Sequence, residues 1–450
     1  MARFLTLLLY NLLYPVVLLC MAPAAWRKMK ARGGSASDLW QRLGFFDPQT
    51  RQKLETLLER GPIWWMHAVS VGEVGVAARL IEELLNRKPT LHLVLSTTTP
   101  TGMALAQKLA TKHDGRLLPI YNPLDGWFTV RRCLRHIHPE RLVLVEAEVW
   151  PNLVLAARWR NIPVSLVNAR LSPRSEKRYQ RVLWLVRPIF SMLAQVFVQF
   201  PGDIVRWERL GISRSRIACF GGIKYDEGAQ GDLTEQIAAL AKLLEQMGWQ
   251  KSDPVLLAAS THDGEEVEIA KVCAELRSSL PQLRLILVPR HAERANTVMQ
   301  QLSEMGPAPV LRSLLGWSKE PGEAGDASTA HCLLVNSTGE LRAWQHLATV
   351  VVIGKSFLTK GGQNPAEAVS AGKPVIFGPH MENFEALVSQ LLAAKAAVQV
   401  KDFAELRERC PALLINPAAA EQVAQAGRAA LGDHEGATKR TADVLLGEMA

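Results

Sequence analysis

A chain of 450 residues, 48% hydrophobic with 31 Gly and 25 Pro, has length for two or three domains and is too apolar to be disordered. Its net charge of +9 is uneven: residues 1–230 carry 32 Lys and Arg against 17 Asp and Glu, residues 231–450 carry 20 against 26, and nine of the twelve Trp lie in the first half. That balance suits an anionic membrane surface, whereas the lack of a basic helix, zinc finger or RNP-like motif disfavours nucleic acid. Six scattered cysteines without a CxxC pair read as buried thiols in a reducing compartment.

Phe4 to Trp26 is almost wholly apolar, close to the ~20 residues that span a bilayer. Arg27, Lys28, Lys30 and Arg32 follow directly, so the positive-inside rule keeps the rest of the chain cytoplasmic. Residues 1–32 are therefore expected to be a membrane anchor with a basic flank. A helix lying in the interface is the alternative. Export through cleavage after Ala22-Pro23-Ala24 is disfavoured by the basic flank and the thiols.

From residue 61, short apolar runs alternate with helical stretches. Strands are expected at Ile63–Val69, Leu91–Thr97, Leu117–Ile120, Leu142–Val145, Val164–Asn168 and Gln195–Gln199. A polar helix over Asp232–Met247 separates a second series: Val255–Ser260, Leu285–Pro289, Leu333–Asn336, Val350–Ile353 and Pro374–Phe377. Residues 313–330 read as a surface loop. This is an α/β pattern of two Rossmann-like units, 33–230 and 231–450, facing across a cleft. The Ala-rich helices from Ala418 on are expected to pack back on the first unit.

Ser70-Val71-Gly72-Glu73 follows the first strand. Taken alone it reads first as a capping box, a common helix start, and second as a carboxylate placed where open α/β sheets collect ligands. Ser337–Glu340 and Asn364–Glu367 repeat the pattern, and helix N-termini favour anions. Leu287–His291 sets Arg290 and His291 behind a buried strand, where Arg offers a fork to phosphate. Glu146 and Glu148 close another strand, and alternation puts both on one side of it. Asn168–Ser172 and Gly221–Asp226 lie at further strand ends, and Gly361–Asn364 is a glycine-rich turn into a helix.

Together these motifs resemble the 3-deoxy-D-manno-oct-2-ulosonic acid (Kdo) transferases of lipopolysaccharide synthesis. The resemblance runs from the apolar N-terminus to about Val398 and rests on His67–Glu73, Thr97–Gly102, Glu146–Asn152, Asn168–Ser172, Gly222–Asp226, Pro289–His291, Thr338–Leu341 and Asn364–Glu367. It implies a GT-B fold and inverting transfer of Kdo from CMP-Kdo to lipid A precursor (lipid IVA) at the inner membrane, with no metal or other cofactor. It also implies that Glu73 is the general base and that Glu146 and Lys224 stabilise the transition state. CMP contacts are implied at Pro289, Arg290, His291, Thr338, Gly339, Glu340, Asn364, Pro365, Ala366 and Glu367. The chain departs from the family pattern at Ile223, Lys355 (where a glycine is expected), Gln363 and Ala366. A glutamate at a helix start is expected to be ionised at neutral pH. Two other readings fit the two-unit pattern: a transferase using a UDP- or GDP-sugar, separable by CMP against UDP competition, and a membrane-tethered binding protein without chemistry, in which replacing Glu73 changes nothing.

Overall fold

The apolar runs become short parallel strands buried on both faces, as continuous Val/Ile/Leu segments between helices must be. The computed structural model describes residues 8–20, 27, 36–171, 173–226, 233–304, 306, 308–315 and 330–448. The chain divides into two compact units, one made of residues 1–229 with 434–450, the other of residues 230–433.

The first unit holds β1 (Ile63–His67), β2 (His92–Thr97), β3 (Leu117–Tyr121), β4 (Arg141–Val145), β5 (Val164–Ala169), β6 (Gln195–Val198) and β7 (Ile217–Cys219). They form one parallel sheet in the order β3-β2-β1-β4-β5-β6-β7. The second unit holds β8 (Val255–Thr261), β9 (Arg284–Pro289), β10 (Val310–Leu311), β11 (Cys332–Leu334), β12 (Val350–Ile353), β13 (Val375–Phe377) and β14 (Val398–Gln399). Its order is β10-β11-β9-β8-β12-β13-β14, again all parallel. Both units are thus Rossmann-like, of GT-B type. The interdomain helix forms over Thr234–Gln246. Of the expected loop at 313–330, residues 316–329 lie outside the described residues.

At the C-terminus the expectation changes in part. Helix Pro417–Leu431 stays in the second unit, where Gly427 lets it approach Val369 closely and Gln390 Nε2 donates to the Ala430 carbonyl (2.7 Å). Only residues from His434 on return to the first unit. There Asp226 caps helix Ala437–Leu446 by accepting from Gly436 N–H (3.0 Å) and Thr438 N–H (2.7 Å). Ala437, Ala442 and Leu445 share an apolar cluster with helix Val71–Arg87, and Arg87 bridges Asp443 and Glu448.

At the N-terminus, residues 8–20 are helical, while 1–7 and 21–26 of the expected apolar span, and the signal-like Ala22–Ala24, lie outside the described residues. No helix among the described residues is long and apolar enough to cross a membrane. Cys133, Cys273, Cys332 and Cys410 are buried free thiols and Cys219 is half-buried, whereas Cys20 is exposed.

Candidate functional site

In the first sheet the strand order reverses between β1 and β4, and an open parallel sheet offers its ligand crevice beyond the carboxyl ends of the strands at such a reversal. Glu73 follows β1, and Glu146 and Glu148 follow β4. The capping box is formed. Ser70 is the N-cap of helix Val71–Arg87; Glu73 Oε2 accepts from Val69 N–H (2.7 Å) and Oε1 from the Ser70 hydroxyl (3.1 Å). The same carboxylate is half-buried. Burial, followed by the negative charges of Glu146 and Glu148, pushes its pKa up to about 7. This corrects the expectation of a fully ionised group at neutral pH: desolvation and like charges outweigh the helix start.

Glu146 and Glu148 are not paired by strand alternation. β4 ends at Val145, and Glu146 adopts a left-handed backbone with φ 63°, which turns the chain out of the sheet. Burial raises the pKa of both acids; Arg170 and then Lys224 oppose this at Glu146, and Trp150 Nε1, donating to Glu148 Oε2 (3.0 Å), opposes it at Glu148. Glu73, Glu146, Glu148, Arg170 and Lys224 therefore share one electrostatic environment. His67 is not part of it as an acid or base, since complete burial holds its pKa down to about 4 while Nδ1 bonds Ser96 Oγ (2.9 Å).

Lys224 sits on a one-turn 3-10 segment, Ile223–Tyr225, locked by Asn168, which a strand-end motif contains, and by Arg79 and His434, which no motif singled out. Arg79 donates to the carbonyls of Ile223 (2.7 Å), Lys224 (3.1 Å) and Asp226 (3.1 Å). Asn168 Oδ1 accepts from Ile223 N–H (3.0 Å), and His434 Nδ1 accepts from Gly222 N–H (2.9 Å). Arg79 and His434 lie 144 and 212 positions from these partners, a distance over which spacing carries no signal.

In the second sheet the reversal falls between β8 and β12. Pro289 ends β9 beside it; Arg290 N–H donates to the Thr261 carbonyl (3.0 Å), and the Arg290 and His291 side chains are exposed. Thr338 and Gly339 are exposed, and Gly339 has φ 86°. Glu340 already has partners: Arg312 grips it through Nη2 (2.8 Å) and Nε (3.1 Å), and the Ser337 hydroxyl donates at 2.6 Å. Pro365 and Ala366 are buried, Glu367 is half-buried, and Asn364 Oδ1 accepts from Ala366 N–H (3.2 Å). The helices behind Glu340 and Pro365 are short, Leu341–Leu347 and Ala366–Ser370, so each aligns few peptide dipoles toward an anion.

The carboxylate that organises this edge is Glu265, absent from every motif above. It is fully buried and accepts from the N–H groups of His262 (2.9 Å), Lys355 (2.7 Å), Ser356 (3.1 Å) and Phe357 (3.1 Å), tying the end of β8 to the loop after β12. Gly354 is needed beside it, since a Cβ there would lie 2.5 Å from the Ser260 carbonyl oxygen. Among the described residues no group of three His, Cys, Asp or Glu side chains is placed to hold a metal ion.

Comparison with known proteins gives a consistent result. The family profile for 3-deoxy-D-manno-octulosonic-acid transferase (kdotransferase) matches residues 37–227. A 3-deoxy-D-manno-octulosonic acid transferase of Haemophilus influenzae is 32% identical over 382 residues, covering 85% of this chain and 86% of its own. One of Bordetella pertussis is 33% identical over 444 residues, covering 96% and 98%. In fold the chain is similar to UDP-GlcNAc 2-epimerase from Neisseria meningitidis, with a TM-score of 0.60 at 15% identity over 86% of this chain and 100% of that one.

Proposed function

The chain belongs to the 3-deoxy-D-manno-octulosonic acid transferase family of glycosyltransferases, and from that premise we propose that it moves Kdo from CMP-Kdo to a hydroxyl of lipid A precursor (lipid IVA), with inversion and with Glu73 as general base. The observation that carries the reading is a half-buried carboxylate at the reversal of the first sheet, in the field of Glu146 and Glu148, where burial pushes its pKa up to about 7. A hydroxyl is a poor nucleophile, and a base whose pKa lies near the working pH is well matched to taking its proton as the new bond forms.

Lys224, beside Glu146, offsets the negative charge of the Kdo carboxylate and of the departing phosphate. Glu146 in turn holds Lys224 in place and favours positive charge building on the sugar. In the second unit the exposed Arg290 guanidinium offers a fork to the CMP phosphate. The remaining cytidine and ribose contacts are proposed at Pro289, His291, Thr338, Gly339, Asn364, Pro365, Ala366 and Glu367. Glu340 contributes indirectly, holding its turn through Arg312. The leaving group is an anion of low basicity, so these donors suffice and no metal ion or other cofactor is required. The reaction is placed at the inner membrane, with both units on the cytoplasmic side, in keeping with the basic first half and the apolar helix 8–20.

The test is incubation with CMP-Kdo and lipid A precursor, reading product mass, with Glu73→Ala and Arg290→Ala beside wild type. Glu73→Ala is expected to lower turnover ~10²–10⁴-fold without changing CMP affinity, and Arg290→Ala to weaken CMP binding. Near-full turnover of Glu73→Ala would leave the capping role alone standing. Turnover in excess chelator is expected to be unchanged.

A further inference from the structure

Helix 8–20 is amphipathic in the inverted sense. Its polar side chains face the protein: Tyr10 Oη donates to Asp125 Oδ2 (2.9 Å), Tyr14 Oη accepts from Asp125 N–H (2.9 Å), and Asn11 and Asn152 exchange reciprocal amide bonds (3.0 and 2.9 Å). Asp125 is itself buried and caps helix Pro151–Trp159 by accepting from Asn152 N–H and Leu153 N–H, both 2.9 Å. The apolar side chains Leu12, Leu13, Val16, Val17 and Leu19 point outward, each more than half exposed. A folded unit that turns an apolar stripe to solvent and a polar stripe to itself is built to meet a non-aqueous phase.

Beside this helix lies a groove of about 1070 Å³, walled by Leu8, Pro15, Trp127, Leu155, Trp159 and Met192, with predominantly apolar walls. Trp127 and Trp159 meet edge to face at 4.9 Å; Trp159 is 66% exposed, and Phe128, also on the groove, is 82% exposed. Its rim is basic. Arg158 lines it, Arg131 stacks over Trp127 at 5.1 Å, and Arg160, whose Nη2 donates to the Arg131 carbonyl (3.4 Å), feels the like charges of Arg131 and Arg135. Among the described residues none of these four arginines sits in an ion pair. An apolar slot with cationic lips matches a molecule with a hydrocarbon tail and an anionic head.

We propose that this groove binds one acyl chain of an anionic phospholipid, with helix 8–20 lying in the same leaflet and Arg131, Arg158 and Arg160 meeting the headgroup phosphate. The site goes beyond sugar transfer: it rests on the membrane location proposed above, not on the chemistry at Glu73.

The experiment uses the full chain with vesicles of phosphatidylglycerol and phosphatidylcholine, whose acyl chains are either plain or brominated. Bromine quenches tryptophan at contact range, so half-buried Trp127 reports a chain inside the groove, as the emission difference between wild type and Trp127→Phe. Trp159→Phe is a second reporter should the first variant fold poorly. The expected result is loss of the Trp127 component with brominated chains. Arg158→Gln and Arg160→Gln are each expected to lower partitioning onto phosphatidylglycerol about fivefold, the equivalent of ~1 kcal/mol per basic residue at an anionic surface, and to leave pure phosphatidylcholine unaffected. Vesicle binding with an unquenched Trp127 component overturns the groove assignment while sparing the membrane location. No vesicle binding overturns both. Leu13→Asp and Val17→Asp turning a self-associated chain into monomers, with vesicle binding unchanged, would make the apolar stripe an interface between copies instead.

Discussion

Glu73 serves as a cap and is proposed as a base, and the two roles separate by mutation. Ser70→Ala removes the N-cap and is expected to lower unfolding free energy by about 1 kcal/mol in a denaturant titration, while turnover falls little. Glu73→Gln keeps an acceptor for Val69 N–H but cannot take a proton, so its loss is expected in kcat. Burial and then Glu146 and Glu148 raise the Glu73 pKa to about 7, so below that pH the protonated acid predominates and cannot act as base. Hence kcat/KM is expected to rise with pH through about 7, and Glu148→Gln, by removing one like charge, to move that limb to lower pH. Sequence spacing pointed to the carboxylate and to its two possible uses. It did not carry the pKa, because the neighbours that set it come from a different strand end, and the left-handed turn at Glu146 has no glycine or asparagine to announce it.

At the scale of elements, the strands that were legible are those whose apolar runs are continuous, such as β1 with Ile-Trp-Trp-Met-His and β12 with Val-Val-Val-Ile. β7, β10 and β14 were missed: each is two or three residues long and is held by the partner strand beside it more than by its own pattern. The loop after β12 shows what one residue can hide. Lys355 stands where the family resemblance leads one to expect glycine, and its φ of 56° is the conformation a glycine adopts freely. The bonds from Lys355, Ser356 and Phe357 N–H to Glu265 hold that loop despite the side chain. Glu265→Ala would leave several buried N–H groups unpaired, at about 1–3 kcal/mol each. It is expected to lower the melting temperature and to raise KM for CMP-Kdo, while Lys355→Gly is expected to be neutral or stabilising.

For the whole molecule, composition and strand spacing showed two α/β units, but the path of the chain through them was only partly legible. The Ala-rich signal belongs to helix Pro417–Leu431, with seven Ala in fifteen residues, yet the segment that returns is the Ala-poor one after it, and the close approach at Gly427 keeps the Ala-rich helix in the second unit. Residues 434–448 complete the first unit, where His434 and the Asp226 cap brace the turn carrying Lys224. Asp226→Ala is expected to lower stability by about 1 kcal/mol through the lost cap, and truncation after Asp433 to reduce turnover while CMP binding by the second unit persists, both readable by calorimetry. This return has a further bearing on biogenesis. A ribosome releases the chain vectorially, and domains ordinarily mature in the order they emerge. Here the earlier-made unit stays without its last helix until the later one has been synthesised, so the half bearing Glu73 finishes second.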